Sequence, residues 1–190
     1  MEKSIITVSR QFGSGGHEIG KRLADALGYK FFDNEIINMS AGASGLPREL
    51  FKSSEEAKTG TAGGFLAECN RLNNDKIFAI QADVIKQIAT RGNCVVVGRC
   101  ADYLLESWGA FDIFVHAQIK DRVERVRRLY PAWDDRIEDH IKRIDECRAE
   151  YYSHFTNRAW GQASNYCLSL DSSRFGVDGC VKHLKFIIEN

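Results

Sequence analysis

The chain has 190 residues, 44% of them hydrophobic and 27% charged, which suits one compact soluble domain with a substantial core. Lys plus Arg and Asp plus Glu number 26 each, a formal net charge of zero, and this argues against a general nucleic-acid binder or a protein held on anionic membrane. No apolar run reaches the ~18 residues of a membrane span. The N-terminal MEKSIITVS lacks the layout of a signal peptide, and the six cysteines form no CxxC pair. We therefore expect a cytoplasmic protein with reduced thiols and no zinc or redox motif.

Ile5 to Ser9 read as a buried strand: apolar and partly β-branched. A glycine-rich turn, RQFGSGGHE, follows and runs into a helix over about 17–27, with Gly28 as its C′ residue. Gly13, Gly15 and Gly16 permit turns that other residues resist. The N–H groups of such a loop, with the positive end of the next helix, form an anion site, and phosphate is the expected anion. YKFF is a second short strand ending at Asp33, and a helix starts near Asn34. Residues 40–64 are small, polar and glycine-rich, a pattern expected of a substrate-covering loop or a plain surface loop. We place a mobile insertion at about 40–75. A helical pattern runs from about Phe65 to Thr90. Cys94 to Val97 form a fully apolar, central third strand with Gly98, Arg99 and Cys100 at its carboxyl end. ADYLLES reads as a helix, Phe111 to His116 as the fourth strand, and about 118–130 and 134–157 as two charged helices. NYCLSLD is the fifth strand, and GVDGCVKHLKFIIE the closing helix.

Five strands alternating with helices predict a parallel sheet covered on both faces. Ligands of such sheets bind at the carboxyl ends of the strands. The turn after Ser9, Asp33, Arg99 and the segment after His116 are expected to converge there.

Several segments together resemble the cytidylate-kinase-like family of P-loop proteins: SRQFGSGGHEIGKRLADALGYKFFD, VVVGRCADYLL, FDIFVHAQIKDRVERVRRL, RIDECR and YCLSLDSSRFGVDGCV. The resemblance covers nearly the whole chain except about 40–75. It implies an α/β, P-loop NTPase-like fold: one domain over 1–190, with a five-stranded parallel sheet and a helical lid at about 120–160. It also implies transfer of the γ-phosphoryl of ATP, with Mg²⁺, to a nucleoside monophosphate or similar small acceptor. Such chemistry needs positioning and positive charge more than a nucleophilic side chain. The nucleotide site implied comprises Gly13, Ser14, Gly15, Gly16, His17 and Glu18. Asp33, Arg99, Asp145 and Arg148 are implied for the acceptor, and Arg99, Arg125 and Arg128 as catalytic cations; Arg10 joins them on its position inside the turn. No metal ligand is assigned.

The loop departs from the Walker A pattern G-x-x-x-x-G-K-[ST]. Aligned on the helix, Arg10 takes the first Gly, Gly15 the second, Gly16 the Lys and His17 the Ser/Thr. The phosphate-binding Lys and the metal-binding hydroxyl are both missing. Arg10, inside the turn, is the first substitute cation, and Lys21 a weaker one. His17 reads as a hydrogen-bond donor to a phosphate or as an exposed residue. Asp33 reads as an acceptor contact or a helix cap. The family's Asp after the strand arginine is Cys100 here, so cytosine recognition does not follow. Tyr151, Tyr152, Phe155 and Trp160 read as base-stacking or as packing residues. Two other readings remain open: a non-catalytic nucleotide or phosphate sensor, and a Rossmann-type dinucleotide protein. Glu18 in the last glycine position of G-x-G-x-x-G weakens the latter.

Overall fold

The computed structural model describes residues 4–47, 51, 75–133 and 136–190. Each apolar run identified above becomes a strand: β1 (Ile5–Arg10), β2 (Lys30–Phe32), β3 (Cys94–Val97), β4 (Phe111–His116) and β5 (Leu168–Asp171). They form one parallel sheet in the order β2-β3-β1-β4-β5. Parallel strands need long crossovers, and helices supply them. These are α1 (Gly16–Leu27), α2 (Asn34–Ser44), α3 (Asp75–Arg91), α4 (Ala101–Leu104), α5 (Ile119–Leu129), α6 (Ile137–Thr156) and α7 (Ser172–Glu189).

Period-two alternation divides the core between the two faces of the sheet. Ile6, Val8, Val95, Val97, Ile113 and Val115 face α1 and α7, where Ile19, Leu23 and Leu184 close over them. Ile5, Cys94 and Val96 face Ile36 of α2, Val84, Ile85 and Ile88 of α3, and Ala101 of α4. A third cluster lies outside the sheet. In it Val126 of α5 and Ile137, Ile141 and Ile144 of α6 gather around Phe12, inside the glycine-rich turn.

Some expected boundaries move. Helix α2 continues through Ser40, which is buried, to Ser44, so residues 40–44 are not loop. Gly45 then ends the helix in the left-handed region. The ADYLLES helix is a single turn followed by a 3-10 turn over Glu106–Trp108. Strand β5 begins only at Leu168, because Ala163–Asn165 form another 3-10 turn. The remainder of the expected insertion lies outside the described residues, apart from 45–47 and Phe51. Among the described cysteines Cys94, Cys100, Cys167 and Cys180 are free thiols, whereas Cys147 is disulfide-bonded, against the expectation of reduced thiols. No described helix is long and apolar enough to cross a membrane.

Candidate functional site

Strand β1 ends beside the neighbouring strand ends, and the turn after it is wound by two left-handed glycines, Gly13 (φ 75°) and Gly15 (φ 82°). Ser14 is buried inside this turn. Its hydroxyl donates to the Gln11 carbonyl at 2.8 Å and accepts from the Gly16 N–H at 3.3 Å. Its own carbonyl accepts from Ser172 Oγ at 2.6 Å. The Ser14 hydroxyl therefore shapes the loop and is not turned toward a ligand. Helix α1 starts at Gly16 without a side-chain cap, which leaves first-turn N–H groups to an incoming anion.

Arg10 and Gly16 share one space. A Cβ placed on Gly16 would lie 2.4 Å from Arg10 Cβ, and a Cβ on Gly98 would lie 2.6 Å from Arg10 Nη1. The Arg10 side chain thus crosses the position a lysine at 16 would start from, and its guanidinium lies at the end of β3. From the other side comes Arg125 of α5. A Cβ on Gly15 would meet its guanidinium carbon at 3.0 Å. Arg125 also pairs with Glu18 at 3.6 Å.

His17 and Asp33 meet at the loop's other rim. His17 Nδ1 is 2.7 Å from Asp33 Oδ2, and the imidazole stands edge-on to Phe31, with centroids 5.3 Å apart. Asp33 occupies the N-cap position of α2 but does not cap it with its side chain. Burial pushes the Asp33 carboxyl up, but the His17 hydrogen bond and the charges of Arg10 and Arg99 outweigh it and hold the group below the ordinary carboxylate value.

Arg99 sits in a left-handed turn of three residues: Gly98 (φ 72°), Arg99 (φ 59°) and Cys100 (φ 55°). For the two non-glycine residues this conformation costs roughly 1–2 kcal/mol each, a kind of strain common at binding sites. Arg99 Nη1 donates to the Phe51 carbonyl at 3.2 Å, while its Nε is buried with no hydrogen-bond partner among the described residues.

Asp145 and Arg148 are both on α6, and both hold the loop's main chain. Asp145 Oδ1 accepts from Phe12 N–H at 2.7 Å, and its other oxygen pairs with Arg122. Arg122 Nε donates to the Phe12 carbonyl at 2.7 Å. Arg148 Nη1 donates to the Arg10 carbonyl at 2.6 Å and its guanidinium lies over the Phe12 ring at 5.6 Å. Burial, followed by repulsion from Arg10, pushes the Arg148 guanidinium well below its ordinary value. Burial also lifts Asp145, with the Arg122 charge opposing. Sequence reasoning missed this clamp. Arg122 lies on α5 with Arg125 and Arg128, and nothing local in the sequence tells it apart from Arg128, which is exposed at the end of the helix.

The aromatic side chains of α6 and of the segment after it pack. Phe155 stacks on Phe78 at 3.9 Å, and Trp160 meets Phe114 edge-on. Tyr152 donates to buried Asp102 at 2.7 Å. On the same face of β1, Thr7 donates to Asp112 at 2.5 Å. Burial lifts Asp112 to about 6, against the Thr7 hydrogen bond. A group raised above its unfolded value of ~3.9 keeps a proton that the unfolded chain releases, so stability falls as pH rises from about 4 to about 6. Asp112→Asn is expected to remove that slope and raise Tm at neutral pH, as thermal melts across this range would show. An unchanged slope would mean that Asp112 ionises in the fold without penalty.

The described residues do not build a protein-held metal site. No group of three or more His, Cys, Asp or Glu is placed to hold an ion, the Ser14 hydroxyl is used inside the loop, and His17 stands where a metal-binding hydroxyl would be.

Comparison with known proteins agrees with this architecture. The curated cytidylate kinase of Haloarcula marismortui is 23% identical over 188 residues, covering 98% of this chain and 90% of that protein. An uncharacterised protein from Eubacterium ventriosum has the same fold, with a TM-score of 0.74, 21% identity and 99% of each chain covered. Shikimate kinase from Bacteroides thetaiotaomicron superposes with a TM-score of 0.58 at 19% identity, over 98% of this chain and 99% of that one. The likeness to these solved structures shows the shared α/β fold. The model of the cytidylate kinase-like family matches residues 5–174, and the chain belongs to that family.

Proposed function

We propose that the protein is a phosphotransferase that moves the γ-phosphoryl of ATP to a nucleoside monophosphate or a similar small anionic acceptor, and that Arg10 replaces the lysine of the phosphate loop. One observation carries this reading: Arg10 Cβ lies 2.4 Å from where a side chain at Gly16 would begin. Positions 10 and 16 have exchanged their roles. The glycine of the usual loop has become the cation, and the usual cation has become the glycine that makes room for it. A guanidinium suits the task, because its planar fork binds two phosphate oxygens at once.

The remaining residues divide by location. The amides of the Gly13–Glu18 turn receive the donor phosphates. Arg125 exchanges its Glu18 partner for phosphate oxygen, and Arg99, with its buried Nε, receives the acceptor's anionic group. Arg122, Asp145 and Arg148 hold the loop in shape from α5 and α6. Mg²⁺, where required, arrives with the nucleotide's phosphates.

The test is ADP formation from ATP and Mg²⁺, with CMP, dCMP, UMP, AMP and GMP each offered as acceptor. Turnover with one of them or with a related anion is expected. ATP binding with no transfer to any acceptor would favour a sensor that kept the fold, a reading supported by the missing loop hydroxyl.

A further inference from the structure

Phosphate binding does not explain the contact between His17 and Asp33 at the rim of the loop. His17 stands on the first turn of α1, immediately after the phosphate loop, and Asp33 at the carboxyl end of β2. The Asp33 side chain is 13% exposed, whereas the His17 side chain is 52% exposed. The carboxylate is therefore fixed inside and the imidazole reaches outward. Phe31 packs against the ring and sets its plane. Among the described residues Nδ1 bonds Asp33 and Nε2 has no partner. An anionic Asp33 can only accept, so Nδ1 carries a proton, and in the neutral ring Nε2 is then the nitrogen with the free lone pair.

Location gives this arrangement its meaning. His17 opens α1 directly after the phosphate loop, and Asp33 ends β2, the strand paired with β3, whose carboxyl end carries Arg99. The pair thus stands at the carboxyl edge of the sheet, on the rim of the loop. A phosphate acceptor would gain little from a base there, because a phosphate monoester has its second pKa near ~6 and is mostly dianionic at neutral pH. An alcohol has to lose its proton as it attacks.

We propose that His17, oriented by Asp33, is the general base of the reaction, and that the accepting oxygen is an alcohol hydroxyl on a small anionic molecule. This rests on the phosphotransferase reading above and narrows it. As the hydroxyl oxygen forms its bond to the γ-phosphorus, its proton passes to Nε2. The bond from that phosphorus to the bridging oxygen breaks, and the electron pair leaves on ADP. The imidazolium is stabilised by the Asp33 carboxylate and, being half exposed, returns its proton to water. The product is a phosphate ester rather than a phosphoanhydride.

The test uses His17→Asn. Asparagine Nδ2 reproduces the donor to Asp33 but supplies no base, so a purely structural role would survive the change. Wild type and variant are incubated with ATP, Mg²⁺ and either the five nucleotides above or the anionic alcohols shikimate and 3-phosphoglycerate. Phosphorus NMR then distinguishes a new ester from a new anhydride. ATP affinity and Tm are measured on the same samples. The expected result is an ester product, with kcat lowered about 10²–10⁴-fold in the variant and ATP affinity and Tm unchanged. An anhydride product, or equal kcat in the two proteins, overturns the base while leaving the phosphotransferase reading in place. A wild-type protein that binds ATP and transfers to neither group overturns that reading, and the base with it.

Discussion

Gly16→Ala is expected to slow phosphoryl transfer on the order of 10²-fold, and Arg10→Gly in the same chain to relieve the clash it creates. The new methyl would lie 2.4 Å from Arg10 Cβ and 3.0 Å from Arg10 Cγ, far inside the ~3.5–4.0 Å of a relaxed carbon contact. Val115 Cβ, at 3.2 Å, closes the other side. Neither neighbour is the free end of a flexible chain, so the loop or β1 has to shift. Displacement near 1 Å at a phosphoryl-transfer site costs on the order of 10²-fold in rate. The pair Arg10→Gly with Gly16→Lys tests the exchange itself, because it rebuilds the usual glycine and lysine positions. It is expected to recover ATP binding lost in Arg10→Gly alone. Steady-state rates and ATP affinity for the four proteins check both statements. Normal activity in Gly16→Ala would show that Arg10 does not occupy the lysine's space in solution.

Arg122→Ala is expected to cost about 3–5 kcal/mol of stability, because it leaves the Asp145 carboxylate buried without its partner. The two side chains are only 7% and 15% exposed. The substitution also removes the donor to the Phe12 carbonyl. For a chain of this size the loss corresponds to a fall of roughly 6–20 °C in Tm. Arg122→Met combined with Asp145→Asn is expected to recover part of it, since Asn still accepts from Phe12 N–H and the two charges are removed together, although Arg148, 3.9 Å from Asp145, then stays buried without that carboxylate. Loop integrity is read separately, through hydrogen exchange at the Phe12 amide, which should quicken in Arg122→Ala. A Tm within 2 °C of wild type would mean that the clamp contributes little and that the third cluster around Phe12 holds the loop unaided.

Much of the sheet was legible because its cause is local. β-branched, apolar runs such as Cys94–Val97 sit in a two-sided parallel sheet and carry no polar alternation. Phosphate-loop glycines and the N-terminus of α1 were legible for the same reason. The interior of the site was not. Asp145 and Phe12 are 133 residues apart in sequence, and no periodicity reports that a carboxylate on α6 takes up an amide of the turn after β1. Helical spacing limited which α5 arginines share a face but did not say which face turns inward. Arg122 is buried, Arg125 reaches Gly15, and Arg128 remains in solvent. Motif alignment showed that the lysine was missing and pointed to Arg10, but the reason Gly16 has to be glycine appears only when a Cβ is placed on it. His17 and Asp33 were each read alone, as an exposed residue or hydrogen-bond donor to a phosphate and as a cap or acceptor contact. Their 2.7 Å contact makes them a pair.

The measurement that bears most directly on the substitution of Arg10 for the loop lysine is calorimetric titration of ATP with Mg²⁺ into wild type, Arg10→Ala and Arg10→Lys. A charge-assisted contact to phosphate is worth about 1.5–3 kcal/mol, so Arg10→Ala should weaken ATP binding by roughly 10–150-fold. Arg10→Lys should retain part of that affinity, and AMP, which lacks the β- and γ-phosphates, should bind all three alike. Equal ATP affinity in wild type and Arg10→Ala would contradict the account, because the loop would then hold its phosphates without the residue said to have replaced the lysine.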